Sequence, residues 1–169
     1  ASVGIISEAN AHPLNSDEEA GGTSGPYVTA ALNGDVDNFA DLKSAHSLVL
    51  APEITTDAKV IPTLVSRRVA AGESLDSAFR AAVASMEGSV AIGASAATSP
   101  DHLHLALRGS GQALYVGLAE DVYIVASEPY GVVEETATYL RLDGETPANP
   151  ENPTASRGQI VVLDGSRAG

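Results

Sequence analysis

Three places in this sequence hold residue types suited to chemistry on a small polar molecule. Asn33-Gly34 ends a short apolar run, Tyr27 to Leu32, and offers a side-chain amide beside an unhindered backbone N–H. Two such donors can stabilise an oxyanion, although the same pair also makes a turn chosen for its backbone angles alone. Asp57 follows two threonines, where a carboxylate either holds a substrate ammonium group or acts as an acid in the first turn of a helix. His12, in Asn10-Ala11-His12-Pro13, suits a general base or a substrate contact, and also a loop residue with local hydrogen bonds. Ser2 adds a hydroxyl with no companion base nearby in sequence.

Other clusters carry less. His102 and His104 share one face of an expected strand, but two ligands without a third make a poor Cu or Zn site, and a solvent face accounts for them. Arg67-Arg68 could meet a phosphate or line a solvated helix face, and Glu134-Glu135 reads as surface. Nothing resembles a His-x-x-x-His helix site, so no metal is expected. The chain contains no Cys, which excludes disulfides, thiolate metal sites and a cysteine nucleophile within these residues.

Composition bounds the function further. The 9 Lys and Arg against 22 Asp and Glu give a formal net charge of −13, which repels nucleic acid and anionic lipid. With 44% hydrophobic and 18% charged residues, the 169-residue chain can build a substantial core as one domain. No apolar run approaches the ~20 residues of a membrane span, and Ala1 to Asn10 lacks the order of a signal peptide, so a soluble cytoplasmic protein is expected.

These residues need elements to position them. A strand over Tyr27–Leu32 delivers the Asn33-Gly34 turn, and Asp35 to Ala45 follows as a short helix through Val36, Phe39 and Leu42. Ser7 to Pro26 reads as a long surface loop, and Ser47 to Leu50 as a brief strand. Thr55-Thr56-Asp57 caps a helix whose apolar positions are Val60, Ile61, Leu64, Val65 and Val69, ended by Gly72; Ser74 starts a second, through Met86. After Gly88 the period changes to short strands: Ser89–Ala97, Leu103–Arg108, Ala113–Leu118, Val122–Ser127, Thr138–Leu142 and Gly158–Leu163. Residues 146–157, with three prolines, read as an extended insertion. Helices followed by an antiparallel meander give an α+β class.

Taken in order, Ala1-Ser2-Val3-Gly4, Ser7-Glu8-Ala9-Asn10-Ala11-His12-Pro13, Leu32-Asn33-Gly34-Asp35-Val36-Asp37-Asn38-Phe39, Thr56-Asp57-Ala58-Lys59-Val60-Ile61, Glu87-Gly88-Ser89-Val90-Ala91 and Ala126-Ser127-Glu128 form a pattern. It resembles the glutaminase domain of glucosamine-fructose-6-phosphate aminotransferase, a class II glutamine amidotransferase. The resemblance runs over nearly the whole chain. It implies a four-layer αββα sandwich of the N-terminal nucleophile hydrolase type. In that family an N-terminal cysteine attacks the glutamine side-chain amide, and the ammonia released passes to a sugar-phosphate synthase domain.

By this resemblance Asn33 and Gly34 form the oxyanion hole and Asp57 holds the glutamine α-amino group. Ser2 contacts its carboxylate, and His12 lies beside the pocket. L-glutamine is the expected ligand, without a cofactor. The expected partners are an N-terminal segment and a C-terminal sugar-phosphate isomerase domain, and a homodimer stays open. The sequence departs from the family in having Val3 where a histidine is usual. It also lacks about 70 residues at the start of the family's domain, which carry the nucleophile and a central strand. The expectation is therefore a partial domain, incomplete at its N-terminus, inactive alone, with unpaired ladder groups and exposed apolar faces. The alternatives are a non-catalytic glutamine-binding or regulatory module, and a glutaminase domain of another class II amidotransferase.

Overall fold

A computed structural model of the chain describes residues 3–19, 25–153 and 156–168. Its strands are β1 (Leu14–Asn15), β2 (Val28–Gly34), β3 (Val90–Ala96), β4 (Ser99–Arg108), β5 (Tyr115–Leu118), β6 (Tyr123–Ala126), β7 (Tyr139–Arg141) and β8 (Gln159–Asp164). Its helices are α1 (Phe39–Ala45), α2 (Val60–Ala70), α3 (Leu75–Ala84) and the single turn α4 (Tyr130–Val133). The larger sheet has the order β1-β2-β3-β4-β8 and the smaller one β6-β5-β7, with every pairing antiparallel.

Alternation along each strand sorts the side chains into two cores. Val28, Ala30 and Leu32 of β2, Val90, Ile92, Ala94 and Ala96 of β3, and Ala106 of β4 face α2 and α3, where Val60, Ile61, Leu64, Phe79 and Ala82 are buried. Ala91, Leu105, Leu107 and Leu163 point to the other face and pack on Leu114, Val116 and Leu142 of the smaller sheet and its flanks. On the outer side of that sheet, a side chain at Gly117 would collide with Val132 of α4. The layers thus run helices, sheet, sheet, helix, the αββα order of the N-terminal nucleophile hydrolase type.

Local chemistry accounts for the helix ends. Ser74 caps α3 by accepting from the Ser77 N–H at 3.3 Å, and Gly72 adopts φ +99° just beyond α2, a conformation glycine reaches at little steric cost. The two expected tandem helices are α2 and α3.

Several expectations change. The loop Ser7–Pro26 contains β1, which adds an edge to β2. Ser47–Leu50 is no strand; the Glu19 N–H donates to the Val49 carbonyl and the Val49 N–H to Glu18 Oε1, so this stretch is held by side chain and loop. The strands after Gly88 are no simple meander either. The chain leaves the larger sheet after β4, builds the smaller one, and returns to pair β8 with β4. Ser99-Pro100-Asp101 lies inside β4, because Ala96 pairs with Ser99 around a two-residue turn. His104 does not face solvent: α3 covers it, with Nε2 2.8 Å from Asp76 Oδ1 and its ring edge-on to Phe79 at 5.4 Å. The insertion is pinned at its base by a Pro147–Arg157 bridge and by the Gly158 N–H on the Thr146 carbonyl.

Arg67 forks onto both oxygens of Glu18, at 2.6 and 2.7 Å, and ties the loop after β1 to α2. Burial alone would raise the Glu18 carboxyl. Hydrogen bonds from Arg67 and the Val49 N–H, with the charges of Arg67 and Lys59, hold it below its usual 4.5 instead. A carboxyl lowered in the folded state stabilises above its unfolded value and loses that contribution as pH falls through the acid range. Glu18→Gln should therefore cost about 1 to 2 kcal/mol at neutral pH. In urea melts the gap to the parent should close as pH falls below 4.5. In the same melts Ile92→Ala, which empties a fully buried site, should cost about 2 to 5 kcal/mol. Leu140→Ala, at a half-exposed site, should stay within about 0.5 kcal/mol.

Candidate active site

The site forms where β2 outruns its neighbour β1. The register of β2 with β3 is shown by the Asp35 N–H on the Ser89 carbonyl at 3.1 Å and the Ala97 N–H on the Tyr27 carbonyl at 2.9 Å. Odd-numbered residues of β2 therefore bond to β3, and the N–H groups of even-numbered residues point to the β1 side. Beyond the two residues of β1, this edge carries the N–H groups of Leu32 and Gly34 and that of Val36, two residues past the end of β2. The Leu32 N–H donates to His12 Nδ1 at 3.4 Å, and the Val36 N–H donates to Asp57 Oδ2 at 2.7 Å. The alternation turns the Gly34 N–H toward the same edge, between the imidazole and the carboxylate, where no strand pairs with it.

Gly34 must be glycine. Its φ is +114°, and a Cβ there would collide with the Ser89 carbonyl oxygen. Asn33 lies on the face of β2 opposite Leu32 and is exposed; among the described residues its side-chain amide has no hydrogen-bond partner. Among the described residues, both expected oxyanion donors are therefore without a partner.

Asp57 is fully buried at the start of a 3-10 turn, Asp57–Lys59, leading into α2. Its Oδ1 accepts from Thr56 Oγ1 at 3.3 Å, and Thr56 Oγ1 in turn accepts from the Ala58 N–H, so the residue combines a local cap with the bond to Val36. Because His12 Nδ1 accepts from Leu32, the neutral ring carries its proton on Nε2, a buried atom with no partner among the described residues. Burial lowers the His12 pKa, against the opposing pull of the Asp57 charge, and favours this neutral form. A cavity of about 320 Å³ lined by Val3–Ser7 and Asn10–His12 adjoins the ring. Ser2 lies outside the described residues. His12, Asn33, Gly34 and Asp57 are brought together around the end of β2.

Two buried residues outside that set support the site. The Asn10 amide donates to the Ile5 carbonyl at 2.8 Å and to Thr55 Oγ1 at 3.1 Å, while its oxygen accepts from the N–H groups of Thr55 and Thr56. It thereby stitches the segment carrying His12 to the segment carrying Asp57. Lys59 is 1% exposed and donates to the carbonyl and side-chain oxygens of Asn15 at 2.7 and 2.9 Å. Burial lowers its pKa, while Asp17 and Glu18 oppose the shift. The sequence signal for Lys59 is its place directly before the buried helical positions; Asn10 has none beyond its position in the loop.

No family model matches the chain. It is 29% identical over 142 residues to the glutamine–fructose-6-phosphate aminotransferase (isomerizing) of Bacillus thuringiensis, covering 84% of this chain and 22% of that protein. The enzyme of the same name from Geobacillus kaustophilus is 32% identical over 146 residues, 86% of this chain and 23% of the enzyme. The chain is a relative of these aminotransferases. The one from Methanothermobacter thermautotrophicus aligns over 98% of this chain at 27% identity and 24% of its own length. The chain thus spans under a quarter of the length of the curated relatives it matches.

Two solved structures share the fold. One is an allosteric regulatory enzyme of purine biosynthesis, with TM-score 0.61, 24% identity, and coverage of 78% of this chain and 27% of that one. The other is a glutamine phosphoribosylpyrophosphate amidotransferase from B. subtilis, with TM-score 0.63, 21% identity, and coverage of 93% and 32%.

Asn10→Ala would leave the Thr55 and Thr56 N–H groups without acceptors and free the loop that carries His12. A loss of about 2 to 4 kcal/mol is expected in denaturant unfolding, one to two such penalties. Hydrogen exchange should accelerate at Leu32 and at Val36, just past β2, before the β3-bonded residues of that strand.

Proposed function

We propose that this chain is the glutamine-hydrolysing part of an aminotransferase that supplies ammonia to a sugar phosphate. The observation that carries the reading is the open edge of β2: among the described residues the Gly34 N–H, between His12 and Asp57 along that edge, has no partner, and neither has the amide of the adjoining Asn33. Attack on the glutamine side-chain amide gives a tetrahedral oxyanion, which those two donors would bind. The Asp57 carboxylate uses two of its roughly four lone-pair sites on Val36 and Thr56; it is fully buried here, so holding the substrate ammonium group would require the residues that cover it to move aside. His12 Nε2–H is a further donor toward the substrate, and Ser2 would contact its carboxylate.

These residues contain no cysteine, so the nucleophile comes from a preceding segment, and this chain alone does not turn glutamine over. A C-terminal sugar-phosphate isomerase domain would receive the ammonia, in keeping with the name of the relatives and with the small share of their length that is matched. The absence of Cys favours a second reading, a glutamine-binding module without chemistry.

Mixing the chain with a cysteine-bearing N-terminal fragment of a relative and assaying ammonia from glutamine separates the two. Ammonia release is expected, and Asn33→Ala should lower kcat by about 10²- to 10³-fold with the melting temperature unchanged. A folded mixture that binds glutamine calorimetrically without releasing ammonia would establish the binding module. Absence of both would overturn the site.

A further inference from the structure

The chain carries 22 acidic residues and 9 basic ones, yet three of the nine, Arg80, Arg108 and Arg157, line one cavity of about 270 Å³ that has no acidic residue in its wall. It lies between α3, the end of β4 and the return of the 146–157 insertion, away from the edge of β2. Arg80 and Arg157 are exposed and Arg108 half-buried, so water screens their mutual repulsion, while an anion entering the cavity would meet all three guanidinium groups.

Partners account for one of the three charges. Arg157 pairs with Glu145 at 2.7 Å and donates through Nε to the Pro153 carbonyl. Arg108 donates only to neutral oxygens, Ser156 Oγ at 3.1 Å and the Arg157 carbonyl at 3.3 Å, which fix its guanidinium without cancelling its charge. Arg80 has no hydrogen-bond or ion-pair partner among the described residues. Asp76, one helical turn before it, is turned to His104 instead.

The wall is built rather than loose. The Ala148 N–H bonds the Ser156 carbonyl at 2.8 Å, and Gly158, at φ +124°, lets the returning strand approach the Leu107 carbonyl more closely than any side chain would permit. Val83 and Ile160 supply apolar surface beside the guanidinium groups.

We propose that this cavity binds a small phosphate monoester. Two uncompensated guanidinium groups match the roughly two negative charges of a phosphate monoester near pH 7, where a carboxylate carries one. The apolar wall takes the organic part. The volume lies just under the ~300 Å³ at which drug-sized pockets begin, which selects a ligand the size of a glycerol or sugar phosphate over a dinucleotide.

The test is titration of the whole chain with glycerol 3-phosphate and, separately, with inorganic phosphate, in low-chloride buffer, followed by NMR. Saturable shifts are expected at the backbone of Arg108 and Arg157–Ile160, with the ester bound more tightly than inorganic phosphate. Arg80→Gln should weaken the ester at least tenfold, the loss of one charge-assisted hydrogen bond, with the melting temperature unchanged; Lys43→Gln should leave affinity as it was. No saturation by about 10 mM, inorganic phosphate bound as tightly as the ester, or an Arg80→Gln affinity equal to the parent's would each overturn the proposal.

Discussion

A buried backbone donor needs an acceptor, and β1 is too short to supply acceptors along the whole edge of β2. The antiparallel register that pairs Leu14 with Ala30 would place residue 12 opposite Leu32, and there the His12 ring stands in for a backbone carbonyl. Four residues further along, the Asp57 carboxylate does the same for Val36 from the other side of the chain. Side chains thus satisfy this edge at Leu32 and Val36, and the one outward-facing N–H between them, that of Gly34, is left open. The candidate oxyanion donor at Gly34 is thus a consequence of ending a strand early and capping its neighbours.

Holding His12 and Asp57 in register is a demand on two irregular segments, which have no ladder of their own. Asn10 meets it with an NH2 group that donates to both segments and an oxygen that accepts from the Asp57 segment, which ties the two loops together. Lys59 extends the same solution to the next stretch of chain. Removing an ammonium group from water costs several kcal/mol, and two short bonds to Asn15, with Asp17 and Glu18 nearby, offset it. Such groups make a unique arrangement rather than a more stable one, since any other packing would leave a charge or an amide unpaired inside.

The sequence was most legible where a single period or cap decides structure. The apolar spacing of α2 and α3, the Ser74 cap and the turn-bounded apolar runs of β3 and β8 needed no knowledge of neighbours. The meander expectation failed because strand order is set by which faces must be covered: β5 to β7 bury Val116 and Leu142 only by forming a second layer, and β8 must then return beside β4. The solvent reading of His104 failed for a similar reason, since period-two spacing names a face but not what covers it. At the site, Asn33, Gly34, Asp57 and His12 were legible as types, and their convergence came through the resemblance. Asn10 and Lys59 were not, because their importance is a matter of partners 40 or more residues away.

Access to the site follows from the offset of the two sheets. The inner core between them draws on β3, β4 and β8 from the larger sheet and takes nothing from β2. Ala31 and Asn33 on that face of β2 are consequently exposed, and Leu140, paired with Val116 and so on the inner face of the smaller sheet, is half-exposed as well. At about 25 cal/mol per Å² of apolar surface, leaving one leucine half uncovered forfeits on the order of 1 kcal/mol. That is a small loss against the burial secured by β3 and β4. Full coverage would have sealed the Asn33 amide under apolar side chains, where a donor without a partner is costly and cannot reach a substrate. An uncovered strand at the margin of the sandwich is therefore the arrangement in which the amide can stay unpaired in the free protein and still be rigidly aimed, because the backbone beneath it is paired to β3 on one side and capped by His12 and Asp57 on the other.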